Sequence, residues 1–180
     1  GPLAHFGIDA TKLSVAMDTV MARKTAAVAQ LVAGVKTLVQ RNRITLVQGS
    51  AEFVDAKTLR VRETGALLSA DQVVIASGSE PVVPAIPGAD LPGVVTSDGA
   101  LSLAFLPARV LIVGGGVIGV EFAQIFSDFG AAVTVVEKRE RLLPEDDAEA
   151  AAVLQRSLAR QGVEIVAGGA VHAVVQAQGA

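Results

Sequence analysis

The sequence contains no cysteine, no tryptophan and no tyrosine, and six phenylalanines are its whole aromatic content. The missing thiols exclude a disulfide framework, thiol catalysis within these residues and cysteine-based metal sites. His5 and His172 stand alone in the sequence and form no zinc site. Basic residues are scarce, with 15 Lys and Arg against 18 Asp and Glu for a net charge of −3. That balance, with so few rings to stack on bases, argues against nucleic acid as a partner. Long hydrophobic runs are missing too. The central charge-free stretch, Val110 to Val120, is broken by glycine. It falls short of the roughly 20 apolar residues a spanning helix needs, so no membrane partner is expected. The first residues, Gly1-Pro2-Leu3-Ala4-His5, lack a signal peptide's basic start and apolar core, and they lack an initiator methionine. A protease scar or the interior of a longer protein is the expectation.

What is present is a chain of 180 residues, 51% apolar and 18% charged. This suffices for a core and is too apolar for intrinsic disorder. It leaves room for one domain or two small ones.

Apolar residues at spacings of three and four, among them Leu13, Met17, Val20, Leu31, Val35 and Leu38, predict one long helix over 12–42. Thr11 is a candidate cap, and Arg41 and Arg43 suit the helix's C-terminal dipole. A helix of this length is expected to pack across a larger body. The pattern then shifts to period two, which predicts strands at 44–47, 51–54, 58–62 and 72–76 in an antiparallel meander. The all-apolar Val73-Val74-Ile75-Ala76 reads as a strand buried on both faces. Residues 80–107 are a proline-punctuated connector with a short helix from Ser97 or Asp98 to Leu103, and a domain boundary falls near Pro107. Beyond it the pattern predicts a strand at 109–113, a glycine turn, a helix at 120–129 and a strand at 132–136 leading to Glu137. A helix at 146–161, a strand at 163–166 and a strand of a different sheet at 171–175 follow. The fold class is α/β, a helix-plus-meander piece over 1–106 and a Rossmann-like βαβαβ unit over 107–180.

The chemistry concentrates at Gly114-Gly115-Gly116-Val117-Ile118-Gly119, a G-x-G-x-x-G run between a buried strand and a helix. An acid, Glu137, closes the next strand, as the dinucleotide fingerprint requires. Gly114 permits the sharp turn, Gly116 leaves room for a pyrophosphate, and Gly119 lets helix and strand approach. The opening N–H groups of the helix then face the phosphates. Glu137 has the acceptors to hold ribose hydroxyls and the charge to repel a 2′-phosphate, which favours NAD over NADP. Lys138 and Arg139 follow at once and soften that preference. Taken singly, Glu137 also reads as a solvated strand-end acid. Glu121 reads as a surface acid in the helix's first turn, stabilised by the dipole. Ala76-Ser77-Gly78-Ser79-Glu80-Pro81 reads equally as an ordinary strand-end turn or as a close-approach site.

Three segments together carry a family resemblance: Val74 to Pro81, Thr96 to Leu101, and Gly114 to Glu121. With them, the chain resembles the class I pyridine nucleotide–disulfide oxidoreductases, most of all the dihydrolipoamide dehydrogenase branch. Gly34 to Gly49 is similar to that branch's passage from the long helix into the meander. The resemblance implies the second part of an FAD domain over 1–106 and the first part of an NAD domain over 107–180. It implies FAD and NAD as cofactors. The backbone at Ala51 would lie beside the FAD adenine, and Ser77, Gly78 and Ser79 on the flavin side. Gly114, Gly115, Gly116, Val117, Ile118, Gly119, Val120 and Glu121 would hold the NAD pyrophosphate, with Glu121 near the nicotinamide. Glu137 would take the adenine ribose, and Val171 would touch the adenine.

The family's first glycine fingerprint, its cysteine pair and its His-Glu acid/base pair have no counterpart in these residues. The resemblance therefore implies an internal fragment, inactive alone. Its parent would pass electrons from dihydrolipoamide through a disulfide and FAD to NAD. That parent is expected to be a homodimer in 2-oxoacid dehydrogenase complexes, in the cytoplasm, or in the mitochondrial matrix of a eukaryote. The alternatives are a glutathione or mercuric reductase type, the former expected to carry a basic residue in place of Glu137, and a non-catalytic nucleotide-binding module.

Overall fold

In the computed structural model, residues 14–176 are described. The chain divides into two compact units, residues 24–80 and the remainder. Helix α1 spans Met17–Arg41. The expected positions 11–13, Thr11 and Leu13 included, lie outside the described residues. The helix ends on paired backbone bonds, Ile44 N–H to Val39 O and Arg43 N–H to Gln40 O. Arg43 sits at φ 55°, the left-handed residue such a double cap demands.

In the 24–80 unit, β1 (Ala51–Asp55), β2 (Thr58–Val61) and β3 (Leu67–Ser69) form an antiparallel meander in that order. Ala51 faces Val61, and Leu59 faces Leu68. The β1–β2 turn is made by the Asp55 side chain, whose Oδ1 accepts from the Lys57 N–H at 2.8 Å. Glu52 of β1 pairs across the sheet with Arg60 of β2, at 3.3 Å.

Two expected strands are absent. Residues 44–47 and 72–76 are irregular, and the third strand of the meander is Leu67–Ser69 instead. The expectation of double-sided burial fails at the same place, for Val74 is 87% exposed and Ile75 is 74% exposed. An apolar run becomes a strand only when a neighbour takes its N–H and C=O groups. No described strand pairs with it.

In the other unit, helix α2 is short, Ser97–Ala100, and stops before the expected Leu103. Gly99 within it and a first turn without a side-chain cap both limit its length. Then come β4 (Arg109–Val113), α3 (Val117–Asp128), β5 (Ala132–Glu137), α4 (Ala148–Arg160) and β6 (Glu164–Ala167). The three strands are parallel in the order β4-β5-β6, with Val113 opposite Val136 and Glu137 opposite Ala167. Helix α3 buries Val120, Ala123 and Phe126 on one face against Val133 and Val135 of β5. Leu158 of α4 and Leu142 are wholly buried in the same core. The Asp147 carboxylate caps α4 by accepting from the Ala150 N–H at 2.9 Å. Gly130 and Gly162, both left-handed, end α3 and α4 and turn the chain straight into the next strand.

Residues 171–175, expected as a strand, join no sheet; Val174 N–H instead donates to Pro87 O at 2.8 Å. A single bond to a proline carbonyl starts no ladder, because proline has no N–H to return. Among the described residues no helix is long and apolar enough to cross a membrane.

Candidate nucleotide-binding site

The site is built where β4 runs out into α3. Gly114 N–H donates to Val136 O at 2.8 Å, which keeps the loop in register with β5. Its φ of +110° turns the chain sharply. Helix α3 begins at Val117, three residues earlier than expected, so the glycine loop leads directly into its first turn. Gly116 is the N-cap and offers no side-chain acceptor. The opening N–H groups of α3 thus have neither a preceding carbonyl nor a capping side chain.

Three glycines of the run, Gly115, Gly116 and Gly119, meet different surroundings. A Cβ at Gly119 would run into the Gly114 carbonyl oxygen and approach Ile112. A Cβ at Gly115 would meet Leu142 and the Cβ of Glu137. A Cβ at Gly116 would meet no heavy atom within 4 Å. Two glycines are therefore needed for the loop's own packing, and the third opens onto free space. Such a cradle fits a pyrophosphate.

Glu137 is drawn into this loop. It is the one buried charged residue among those described, 8% exposed. Its Oε2 accepts from the Gly115 N–H at 2.7 Å and its Oε1 from the Arg139 N–H at 2.8 Å. A carboxylate has about four acceptor positions, so two remain for hydroxyl donors. The bland alternative of a solvated strand-end acid does not describe this residue.

Three residues that the sequence reading passed over complete the loop. Leu143 N–H donates to Gly115 O at 2.8 Å, and Leu142 fills the space beneath Gly115. The Arg141 guanidinium donates to the carbonyls of Leu143, Pro144 and Asp146 at 2.6, 3.0 and 2.8 Å. It thereby holds the β5–α4 segment folded on itself, with Leu142 and Leu143 turned to Gly115. The Leu142-Leu143-Pro144 run after a cluster of charges was the available signal.

The remaining candidates are scattered. Val117 and Ile118 are exposed on the first turn of α3, whereas Val120 points into the core. Glu121 is exposed but is not in the first turn, because α3 starts at Val117 and places it one turn further on. Val171 is half-buried in the irregular 171–176 segment.

Ala51 and Ser77-Gly78-Ser79 belong to the 24–80 unit. Ser77, Gly78 and Ser79 are exposed and irregular. The backbone leading to Ala51 is held firmly. Ser50 N–H donates to both oxygens of the Glu63 carboxylate, at 3.0 and 2.8 Å. Ser50 O accepts from the Arg62 N–H at 2.9 Å. The bonds from Ser50 hold the Glu63 carboxyl below its ordinary pKa. No cluster of metal-ligating side chains occurs among the described residues.

Residues 4–180 match the pyridine nucleotide-disulphide oxidoreductase family. The chain belongs to that family. A dihydrolipoyl dehydrogenase of Bacillus subtilis (strain 168) is 42% identical over 166 residues, which cover 89% of this chain and 36% of the relative. A mercuric reductase of Lysinibacillus sphaericus is 37% identical, covering 77% of this chain and 25% of the relative. Among solved structures, the copper complex of the HOCl-induced flavoprotein disulfide reductase RclA from Escherichia coli superposes with a TM-score of 0.79 at 34% identity. That match covers 91% of this chain and 38% of RclA. This member of the pyridine nucleotide-disulphide oxidoreductases thus spans between a quarter and two fifths of the length of these relatives.

Proposed function

We propose that this chain is the central part of a dihydrolipoyl dehydrogenase, an FAD- and NAD-dependent disulfide oxidoreductase. Residues 1–106 belong to its FAD-binding domain and 107–180 begin its NAD-binding domain. The reading is supported by the several dihydrolipoyl dehydrogenases among its relatives. The observation that carries it is the glycine cradle with Glu137 bonded into its turn.

The flavin and nicotinamide, when bound, supply two-electron redox chemistry between a dithiol and NAD. This chain's own residues bind and orient. The N–H groups at Gly116, Val117 and Ile118 face the pyrophosphate, and the α3 dipole reinforces them. Gly119 keeps α3 close enough for that. Glu137 accepts from the adenosine ribose hydroxyls on its two open positions, and its charge disfavours a 2′-phosphate. Val171 lies toward the adenine and Glu121 toward the nicotinamide. The clamped Ser50–Ala51 backbone borders the FAD adenine, and Ser77, Gly78 and Ser79 border the flavin. The whole protein acts as a homodimer within 2-oxoacid dehydrogenase complexes, in the cytoplasm.

The test is NADH titration of the whole protein carrying Gly116→Val. A Cβ there meets no heavy atom within 4 Å, so the added side chain enters the open space of the cradle. Loss of NADH binding with an unchanged melting temperature is the expected outcome. An unchanged titration curve would reduce the loop to a plain turn.

A further inference from the structure

Three cations follow Glu137 closely: Lys138, Arg139 and Arg141. Cations at the end of this strand are what a 2′-phosphate on an adenosine ribose would attract. Their surroundings differ. The Arg141 guanidinium is already engaged by the carbonyls of Leu143, Pro144 and Asp146. Lys138 is exposed and has no ion pair among the described residues. Arg139 is the cation nearest the ribose end that is also held by an acid. Its Nη2 lies 2.9 Å from Oε1 of Glu145.

The backbone of Arg139 is anchored on both sides. Its N–H donates to Glu137 Oε1 at 2.8 Å, and its carbonyl accepts from the Gly168 N–H at 2.8 Å. Arg139 therefore starts one hydrogen bond away from the carboxylate proposed to read the ribose. Only its side chain is free to choose a direction. Among the described residues, the one carboxylate within ion-pair distance of that side chain is Glu145.

We infer that Glu145 is a specificity-determining positioning residue. It draws the Arg139 guanidinium onto the β5–α4 segment and away from the ribose, so Arg139 does not offset the exclusion of a 2′-phosphate by Glu137. The inference rests on the nucleotide-site reading above. The pair is exposed, 64% at Arg139 and 76% at Glu145. Exposed pairs are worth little, so removing this one changes selectivity roughly fivefold at most. Glu145 tunes the preference and Glu137 sets its direction.

The experiment measures dissociation constants for NADH and NADPH with the whole protein as wild type, Glu145→Gln, Arg139→Ala and the double variant. Glu145 is a surface residue, so its amide replacement leaves the fold intact. Glu145→Gln is expected to tighten NADPH about two- to fivefold, leaving NADH unchanged. The gain disappears in the Arg139→Ala background, and Glu145→Asp keeps the wild-type ratio. An equal NADPH gain without Arg139 overturns the inference, because the lost charge then acts through space. Wild-type binding of NADH with an unaltered NADPH ratio in Glu145→Gln overturns this inference alone. A wild-type protein that binds neither nucleotide overturns the nucleotide-site reading, and this inference with it.

Discussion

The 24–80 unit and the unit that holds β4–β6 use similar proportions of apolar residues to opposite effect. Between Lys24 and Glu80, Val61 is the one buried residue, while Leu31, Val35, Leu38, Leu46 and Leu67 lie more than half exposed. The β4–β6 unit closes a core of nine buried residues, from Val120 to Val163. The difference lies in topology. Parallel strands need crossover helices, and each crossover lays an apolar face on the sheet it leaves. A meander needs only tight turns, so its hydrogen bonds close locally while its faces wait for other elements. The exposed face of α1 has the same character, a helix apolar on a side that nothing described covers.

The widest gap should appear in core truncation. Leu158→Ala removes a side chain with no exposed surface and is expected to destabilise the β4–β6 unit by about 2–5 kcal/mol. Leu31→Ala, at a site 71% exposed, should stay within about 0.5 kcal/mol in the same 180-residue chain. Urea unfolding of both variants measures this. A comparable loss at Leu31 would mean that the α1 face is covered in solution, and the contrast between the units would disappear.

Glu137→Ala gives the next largest effect. It removes the acceptor of the Gly115 and Arg139 N–H groups and leaves both donors in or near a buried loop. The expected loss is about 1–3 kcal/mol in NADH affinity, read by titration of the whole protein. FAD content should stay at the wild-type level, since Glu137 lies outside residues 1–106, the part proposed to belong to the FAD-binding domain. Equal affinity for NADH and NADPH before any mutation would remove the reason for placing the acid there.

The smallest effect belongs to the exposed unit and depends on pH. The folded-state pKa of Glu63 is lowered, first by the Ser50 backbone N–H. A depressed carboxyl contributes stability above its ordinary pKa and loses it as pH falls through the lowered value. The turn at Gly49–Ala51 should therefore loosen below about pH 4, near the ordinary carboxylate range. Amide exchange at Ser50 is the readout, and Glu63→Gln should flatten its acid dependence. Acid sensitivity that survives in Glu63→Gln would assign it to another group.

The local signals in the sequence were enough wherever a residue's role depends on its neighbours along the chain. The glycine spacing from Gly114 to Gly119 and the acid at Glu137 located the cradle, because a turn, a helix start and a strand end are local events. The apolar run of β5 showed a strand with one buried face for the same reason, whereas β4, expected to be buried, has no buried residue, Leu111 being 56% and Val113 48% exposed. Other outcomes rested on partners distant in sequence. Val73 to Ala76 has a strand's composition, but pairing makes a strand, and none of the described strands supplies it. Val171 to Val175 failed likewise. Leu142, Leu143 and Arg141 became part of the site only once the β5–α4 segment folded onto Gly115.

By itself the sequence determined the glycine turn between β4 and α3 and the acid that ends β5, since both follow from residue size and spacing. The tertiary structure decided that Glu137 turns inward to bond Gly115 and that Glu145 captures Arg139. It also decided which apolar faces meet a partner. Hydrogen bonds and ion pairs act over a few ångströms, and only the folded chain brings residues such as Gly115 and Glu137 within that range.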